Sequence, residues 1–323
     1  MNEYLLFYKK RIDVKRRTRE RWDVLISAYN SSERVKRLHA LVDAQEKHWI
    51  LLPEYKYEQN ERPPSNAHVG AGEDEEVVMS AFIDAIGGLA GRRVVVDITG
   101  FINSYVIVLL AMLGQRGVTR VDVLYGEPER YLNSERTRFS GEDVLQVRQV
   151  FGFEGVHTND TSKDLLVIAV GYDWKLVSEV AASKEHAKKV QIFGLPSLRP
   201  DMYQESLLRS RMVAEALGPE ASDPRNFQYA PASDPFVTAS VVSAIVRGHR
   251  DEYPRANVYL SPLSTKVQAL GFALYYLREC QNTATSIIYP LCGTYSRETS
   301  EGLASAWQFV VELTSEPSQK DLS

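Results

Sequence analysis

Residues 257–295, NVYLSPLSTKVQALGFALYYLRECQNTATSIIYPLCGTY, read as strand, polar turn, helix, strand and polar turn. Val258, Tyr259 and Leu260 form a short β-branched and aromatic run. It breaks at Ser261-Pro262-Leu263-Ser264-Thr265-Lys266, after which Val267, Leu270, Leu274 and Leu277 recur at helical spacing. A second apolar run, Ser286-Ile287-Ile288-Tyr289, stops at Pro290. Folded this way, the stretch sets two hydroxyls and a lysine at the carboxyl end of a strand, where open α/β sheets take their ligands.

The same alternation extends upstream. Apolar strand patterns at 23–27, 49–52, 93–97, 121–125, 164–170, 189–193 and 227–229 are separated by helical patterns or loops. Strands alternating with helices predict an α/β fold, a mostly parallel Rossmann-like sheet flanked by helices on both faces. Right-handed crossovers then gather the polar turns on one edge. An offset of 164 residues superimposes Val94 on Val258, Leu110 on Leu274, Tyr125 on Tyr289 and Tyr131 on Tyr295 without a gap, which points to two similar halves. The chain accordingly divides into a basic N-terminal arm (1–22), a first Rossmann-like lobe (23–150), a second (151–313) and a flexible polar tail (314–323).

Composition narrows the class. The 323 residues are 44% hydrophobic and 25% charged, as in globular proteins, with a net charge of −4 that argues against a general polyanion binder. Two cysteines, Cys280 and Cys292, are too few for a disulfide framework or a zinc site and predict a reducing, cytoplasmic setting. No apolar run is long enough to span a bilayer, and the start lacks a signal-peptide pattern, so no membrane partner is expected. The arm carries a dense run from Lys9 to Arg21 with few aromatics; it reads first as a solvated face and second as a contact for nucleic acid or an acidic partner.

The turns at strand ends supply the candidate ligand-binding residues: Asp97, Thr99, Asp173, Asp234, Ser264, Thr265 and Lys266. Hydroxyls and a lysine at helix N-termini suit a phosphate, because backbone N–H groups and the helix dipole meet the anion while the ammonium adds a point charge. Each also has a structural reading. Ser264-Thr265 is an ordinary helix cap, Asp97 caps a turn or binds a ribose hydroxyl, and Asp234 before Pro235 is a helix N-cap. Arg199-Pro200-Asp201 is a clamp or a rigid turn. His157, beside Gly155 in a loop, is the best acid/base candidate among six scattered histidines. No P-loop, nucleophile-elbow, zincin or CxxC pattern occurs.

The segment SPLSTKVQALGF, its looser counterpart DITGFINSYVIV and the two tyrosine-ended strands resemble the CARF sensor domains and their tandem SAVED relatives of bacterial antiviral systems. The resemblance covers roughly residues 94–135 and 257–295. Ser264 stands where that family has glycine, and the N-terminal strand-helix-strand unit is a further departure. It implies binding of an oligoadenylate or related nucleotide and a sensor or accessory role with a protein partner. A nucleotide-processing hydrolase or transferase using Asp97, Asp173 or Asp234 is the alternative, and an interaction subunit without a ligand the second.

Overall fold

The computed structural model describes residues 4, 7–63, 66–72, 74–131, 144–199, 202–218, 223–297 and 300–313. Pro200, Asp201 and the expected tail 314–323 lie outside them. In chain order the elements are β1 (Lys9–Ile12), β2 (Arg21–Ala28), α1 (Glu33–Leu41), β3 (Asp43–Leu51), β4 (Ala67–Val69), α2 (Glu75–Ile86), β5 (Val94–Asp97), α3 (Asn103–Gln115), β6 (Arg120–Glu127) and β7 (Arg130–Tyr131). There follow β8 (Val144–Gln149), β9 (Leu165–Ala169), α4 (Trp174–Ser183), β10 (Lys188–Gly194), α5 (Met202–Met212), α6 (Ala214–Leu217), β11 (Phe227–Ala230) and α7 (Pro235–Glu252). The chain closes with β12 (Val258–Pro262), α8 (Lys266–Glu279), β13 (Thr285–Cys292), β14 (Ser300–Glu301) and β15 (Ser305–Glu312).

The fold is α/β, with two mostly parallel sheets. The first runs β1-β15-β6-β5-β2-β3-β4 and the second β11-β10-β9-β12-β13-β8. Counting the parallel strands of each in chain order gives the same sequence, 3-2-1-4-5, the arrangement of a doubly wound, Rossmann-like α/β sheet. In both, an antiparallel strand borders the fifth parallel one: β15 on β6 and β8 on β13. Three of the four pairs at the 164-residue offset fall on equivalent elements, Val94 and Val258 on β5 and β12, Leu110 and Leu274 on α3 and α8, Tyr125 and Tyr289 on β6 and β13; in the fourth, Tyr131 is on β7 and Tyr295 lies between β13 and β14.

The compact units depart from the expected lobes. The first comprises Phe7–Phe101, Val108–Arg130 and the chain from Ser300; the second comprises Tyr131–Thr299 with Ile102–Ile107 and the N-terminal residues to Leu6. Residues 305–312, expected in the second lobe, form β15 of the first sheet, and β8, expected in the first lobe, pairs with β13. Nor is 1–22 simply an arm, since residues 9–12 form β1 on β15. These strands were hidden because their partners lie far along the chain, and β-pairing leaves little trace in local propensity.

Buried strands need apolar residues on both faces, and β5, β9 and β12 are buried throughout. In the first unit Trp22, Leu25, Leu38, Val95 and Leu124 pack into one core, each large side chain contributing roughly 1.5–3 kcal/mol. The Trp22 indole is satisfied by donating to Asp122 Oδ2 at 2.6 Å. In the second unit, residues 267–276 of α8 are all buried, as expected of a helix that is apolar all round. Gly271 permits the approach of α7: a Cβ there would lie 2.5 Å from Pro235 O and 2.7 Å from Thr238 Cβ. Both cysteines are buried free thiols, and burial pushes that of Cys280 up to about 11. Among the described residues no helix is long and apolar enough to cross a membrane.

Candidate functional site

In the second unit the chain leaves β9 toward β10 on one side, and later leaves β12 toward β13 on the other. β9 and β12 are adjacent, with Ala169 opposite Pro262, so their carboxyl ends form the switch point of the sheet. The turn after β9 is Val170-Gly171-Tyr172-Asp173 and the turn after β12 is Leu263-Ser264-Thr265. Backbone contact between them makes a closed floor. Leu263 N donates to Ala169 O at 3.1 Å, and a Cβ on Gly171 would lie 2.2 Å from Leu263 O. The edge is therefore closed between the strands and open only over the turns.

Thr265 is the N-cap of α8. Its hydroxyl accepts from Gln268 N at 3.1 Å and donates to Ala232 O at 2.7 Å, tying the turn after β11 to the turn after β12. Lys266 is the first residue of α8 and half-buried, at the end of the helix where the dipole is positive and a cation is not favoured. Ser264 is half-buried beside it, and its carbonyl accepts from Asn103 Nδ2 at 3.1 Å, as Pro262 O does at 3.0 Å. Asn103 thus holds the lysine-bearing turn by its backbone. Gln268 is fully buried, donates through Nε2 to Ala230 O at 3.3 Å, and leaves Oε1 without a hydrogen bond.

Asp173 occupies the N-cap position of α4 and is buried, but it makes no side-chain cap to that helix. Above its turn lies Arg209 of α5, also buried. Its Nη1 donates to Tyr172 O at 2.6 Å, its guanidinium sits 4.8 Å from the Tyr172 ring centre, and Nε reaches Glu205 at 3.3 Å. Asp234 follows the structural reading: Oδ1 accepts from Phe236 N and Val237 N at 3.0 and 3.2 Å, with Pro235 at the first helical position. Asp234→Ala should then lower stability by about 1–2 kcal/mol in urea unfolding, and Asp234→Asn should retain most of it. A loss of ligand affinity without loss of stability would instead assign Asp234 to the ligand.

The other two candidates belong to the first unit. Asp97 ends β5, fully buried, and its Oδ1 accepts from Thr99 N at 2.9 Å; Thr99 Oγ1 accepts from Gly126 N at 2.9 Å. Both form turns. The equivalent switch point there, β2 against β5, is closed by Gly100, where a Cβ would lie 2.1 Å from Ala28 O. Buried Arg34 spans this edge from α1, donating to Gly126 O at 2.9 Å.

The expected set thus divides. Asp173, Asp234, Ser264, Thr265 and Lys266 lie in turns along one edge of the second sheet, whereas Asp97 and Thr99 serve the first. Asn103 stands out in the sequence as a polar residue in the turn region after β5, whereas Arg209 and Gln268 carried no local signal, since each owes its role to a partner more than 30 residues away. His157 lies elsewhere in the second unit. It stacks on Tyr259 with centroids 4.8 Å apart and hydrogen-bonds Ser286 Oγ. Burial and the neighbouring Lys184 ammonium hold its pKa below the usual imidazole value. Among the described residues no three His, Cys, Asp or Glu side chains group to hold a metal ion. Compared with known protein families and curated proteins, the chain matches no family model and no curated sequence.

Proposed function

We propose that the second unit binds a nucleotide or another phosphorylated ligand over the β9–β12 switch point, and that the chain acts as a sensor or accessory protein with a protein partner. One observation carries the reading. The strand order brings the N-terminus of α8, with Lys266 at its first position, directly beside the turn after β9. The backbone donors of a 14-residue helix, its dipole and an ammonium then act on one anion. The resemblance to CARF and SAVED domains favours an oligoadenylate and a setting in antiviral defence. Binding is preferred to turnover because Thr265 and Asp234 are engaged as caps, and no histidine occurs in the turns of this edge among the described residues.

Denaturing extraction of the purified chain followed by mass spectrometry should yield a phosphorylated compound. In calorimetric titration with ADP and short oligoadenylates, Lys266→Ala should weaken binding about 10- to 100-fold, the value of one charge-assisted contact. Equal binding by parent and variant, or none by the parent to any of these ligands, removes the reading. Consumption of the bound nucleotide by the parent favours the hydrolase or transferase alternative.

A further inference from the structure

The basic run near the N-terminus is not a loose arm. Residues 13–20 form a strap from the end of β1 to the start of β2, fastened along its length. Asp13 accepts from Lys15 N and Arg16 Nε at 3.0 and 2.7 Å, Thr18 N donates to Leu41 O at 2.9 Å, and Asp43 N donates to Thr18 Oγ1 at 2.9 Å. Glu20 is held by Lys10 and by Gln308. Strap and β1 enclose a concavity of about 250 Å³ bordered by five cations and two carboxylates.

Both carboxylates are already engaged, Asp13 by Arg16 and Glu20 by Lys10. Arg11, Arg17 and Arg19 are exposed and make no ion pair among the described residues. Like charges even crowd one another: after burial, nearby Arg17 is the next cause that lowers the pKa of Lys47. A second basic concavity lies close by. Trp22, at the floor of the first, donates to Asp122, which lines this second one of about 320 Å³ with Arg92, Arg93 and Arg120. Arg93 is near enough to Glu20 to lower its pKa. Arg92 is paired with Glu46 at 2.7 Å, but among the described residues Arg11, Arg17 and Arg19 of the strap and β1 are not, so a chain with a net charge of −4 concentrates unneutralised guanidinium groups on this fastened segment of the first unit.

We propose that this strap surface binds the phosphodiester backbone of a nucleic acid, without reading its bases. Guanidinium forks match phosphate oxygens, and a preformed strap loses little conformational freedom on binding. Two separate basic concavities, one lined by the strap and one by Arg92, Arg93 and Arg120, suit a repeating anion better than a single one. Lipid is disfavoured, because among the described residues the only exposed large hydrophobic side chain close to β1 and the strap is Tyr8, just before β1, too little to anchor in a bilayer. With Tyr8 alone, a row of stacked bases is not supported either.

The test is fluorescence anisotropy of the full chain with a labelled mixed-sequence duplex at 50 and 200 mM salt. Neutralising three phosphates should weaken binding about 40-fold across this range. Replacing Arg11, Arg17 and Arg19 together with alanine should weaken binding at least 10-fold at 50 mM and flatten the salt dependence, with the thermal transition unchanged. The pair Arg17→Gln and Arg19→Gln, which keeps apolar stems, is the companion should the triple variant not fold. Lys266→Ala should bind DNA as the parent does, which separates this surface from the ligand site. Parent-like binding by the arginine variants, a salt-independent affinity, or equally tight capture of labelled polyglutamate would overturn the proposal; the last would assign the surface to an acidic protein.

Discussion

Gly100→Ala should destabilise the first unit by about 3 kcal/mol or more, and Gly171→Ala the second by a similar amount. At each position the added methyl meets backbone rather than a movable side chain, Ala28 O at 2.1 Å and Leu263 O at 2.2 Å. Neither glycine has a positive φ, so the penalty is steric and not conformational. Relief requires separating two strand-end turns at a switch point, which would disturb the hydrogen bond from Leu263 N to Ala169 O in the second unit. Gly248→Ala is the control. It lies within α7 with nothing within 4 Å of the new Cβ, so the variant should gain up to about 1 kcal/mol from helix propensity. Urea unfolding of the three variants measures the ordering. Near-parent stability of Gly100→Ala and Gly171→Ala would show that the turns are not in contact in solution.

A second large effect is expected in acid. His39, at the end of α1, stacks on Trp49 with centroids 3.7 Å apart, and its Nε2 is buried without a hydrogen bond. Burial, aided by the nearby Lys47 ammonium, lowers its pKa from 6.5 to about 3. The folded protein therefore binds this proton more weakly than the unfolded chain. Stability from the neutral ring is complete above pH 6.5 and is lost progressively as the pH falls toward 3. Linkage puts the loss at about 2 kcal/mol by pH 5 and about 3 kcal/mol by pH 4. His39→Phe keeps the stack and carries no proton, so its stability should fall by that much less between pH 8 and pH 5 than the parent's. Tryptophan fluorescence in urea at both pH values follows the transition, and parallel pH profiles would remove His39 as the cause.

The repeated strand order bears on the two proposals in different ways. Both switch points are closed by a glycine pressed against a neighbouring carbonyl, but only that of the second unit has a lysine at the start of the next helix. At the first, Asp97, Thr99 and Arg34 bond to the surrounding backbone. The first unit carries its excess positive charge elsewhere, on the strap. The two units thus offer unlike surfaces on one topology, as expected when fold and function are set by different residues.

Much of the architecture was legible locally. Helical spacing of Val267, Leu270 and Leu274 located α8, and the caps at Thr265 and Asp234 were readable because an N-cap bonds to residues two or three positions ahead. The alternation of apolar strands and amphipathic helices determined a mostly parallel α/β fold, because strands covered on both faces must be apolar throughout. Three of the four pairs at the 164-residue offset fell on equivalent strands and helices for the same reason, since burial recurs with the topology. Tertiary structure alone decided the strand order, and hence that the turn carrying Lys266 lies against the turn carrying Asp173 while Asp97 and Thr99 serve a different sheet. It also placed residues 9–12 and 305–312 side by side and made a basic run into a fastened strap. Hydrogen bonds and ion pairs between residues tens or hundreds of positions apart decide these features, and a sequence window contains only one partner of each.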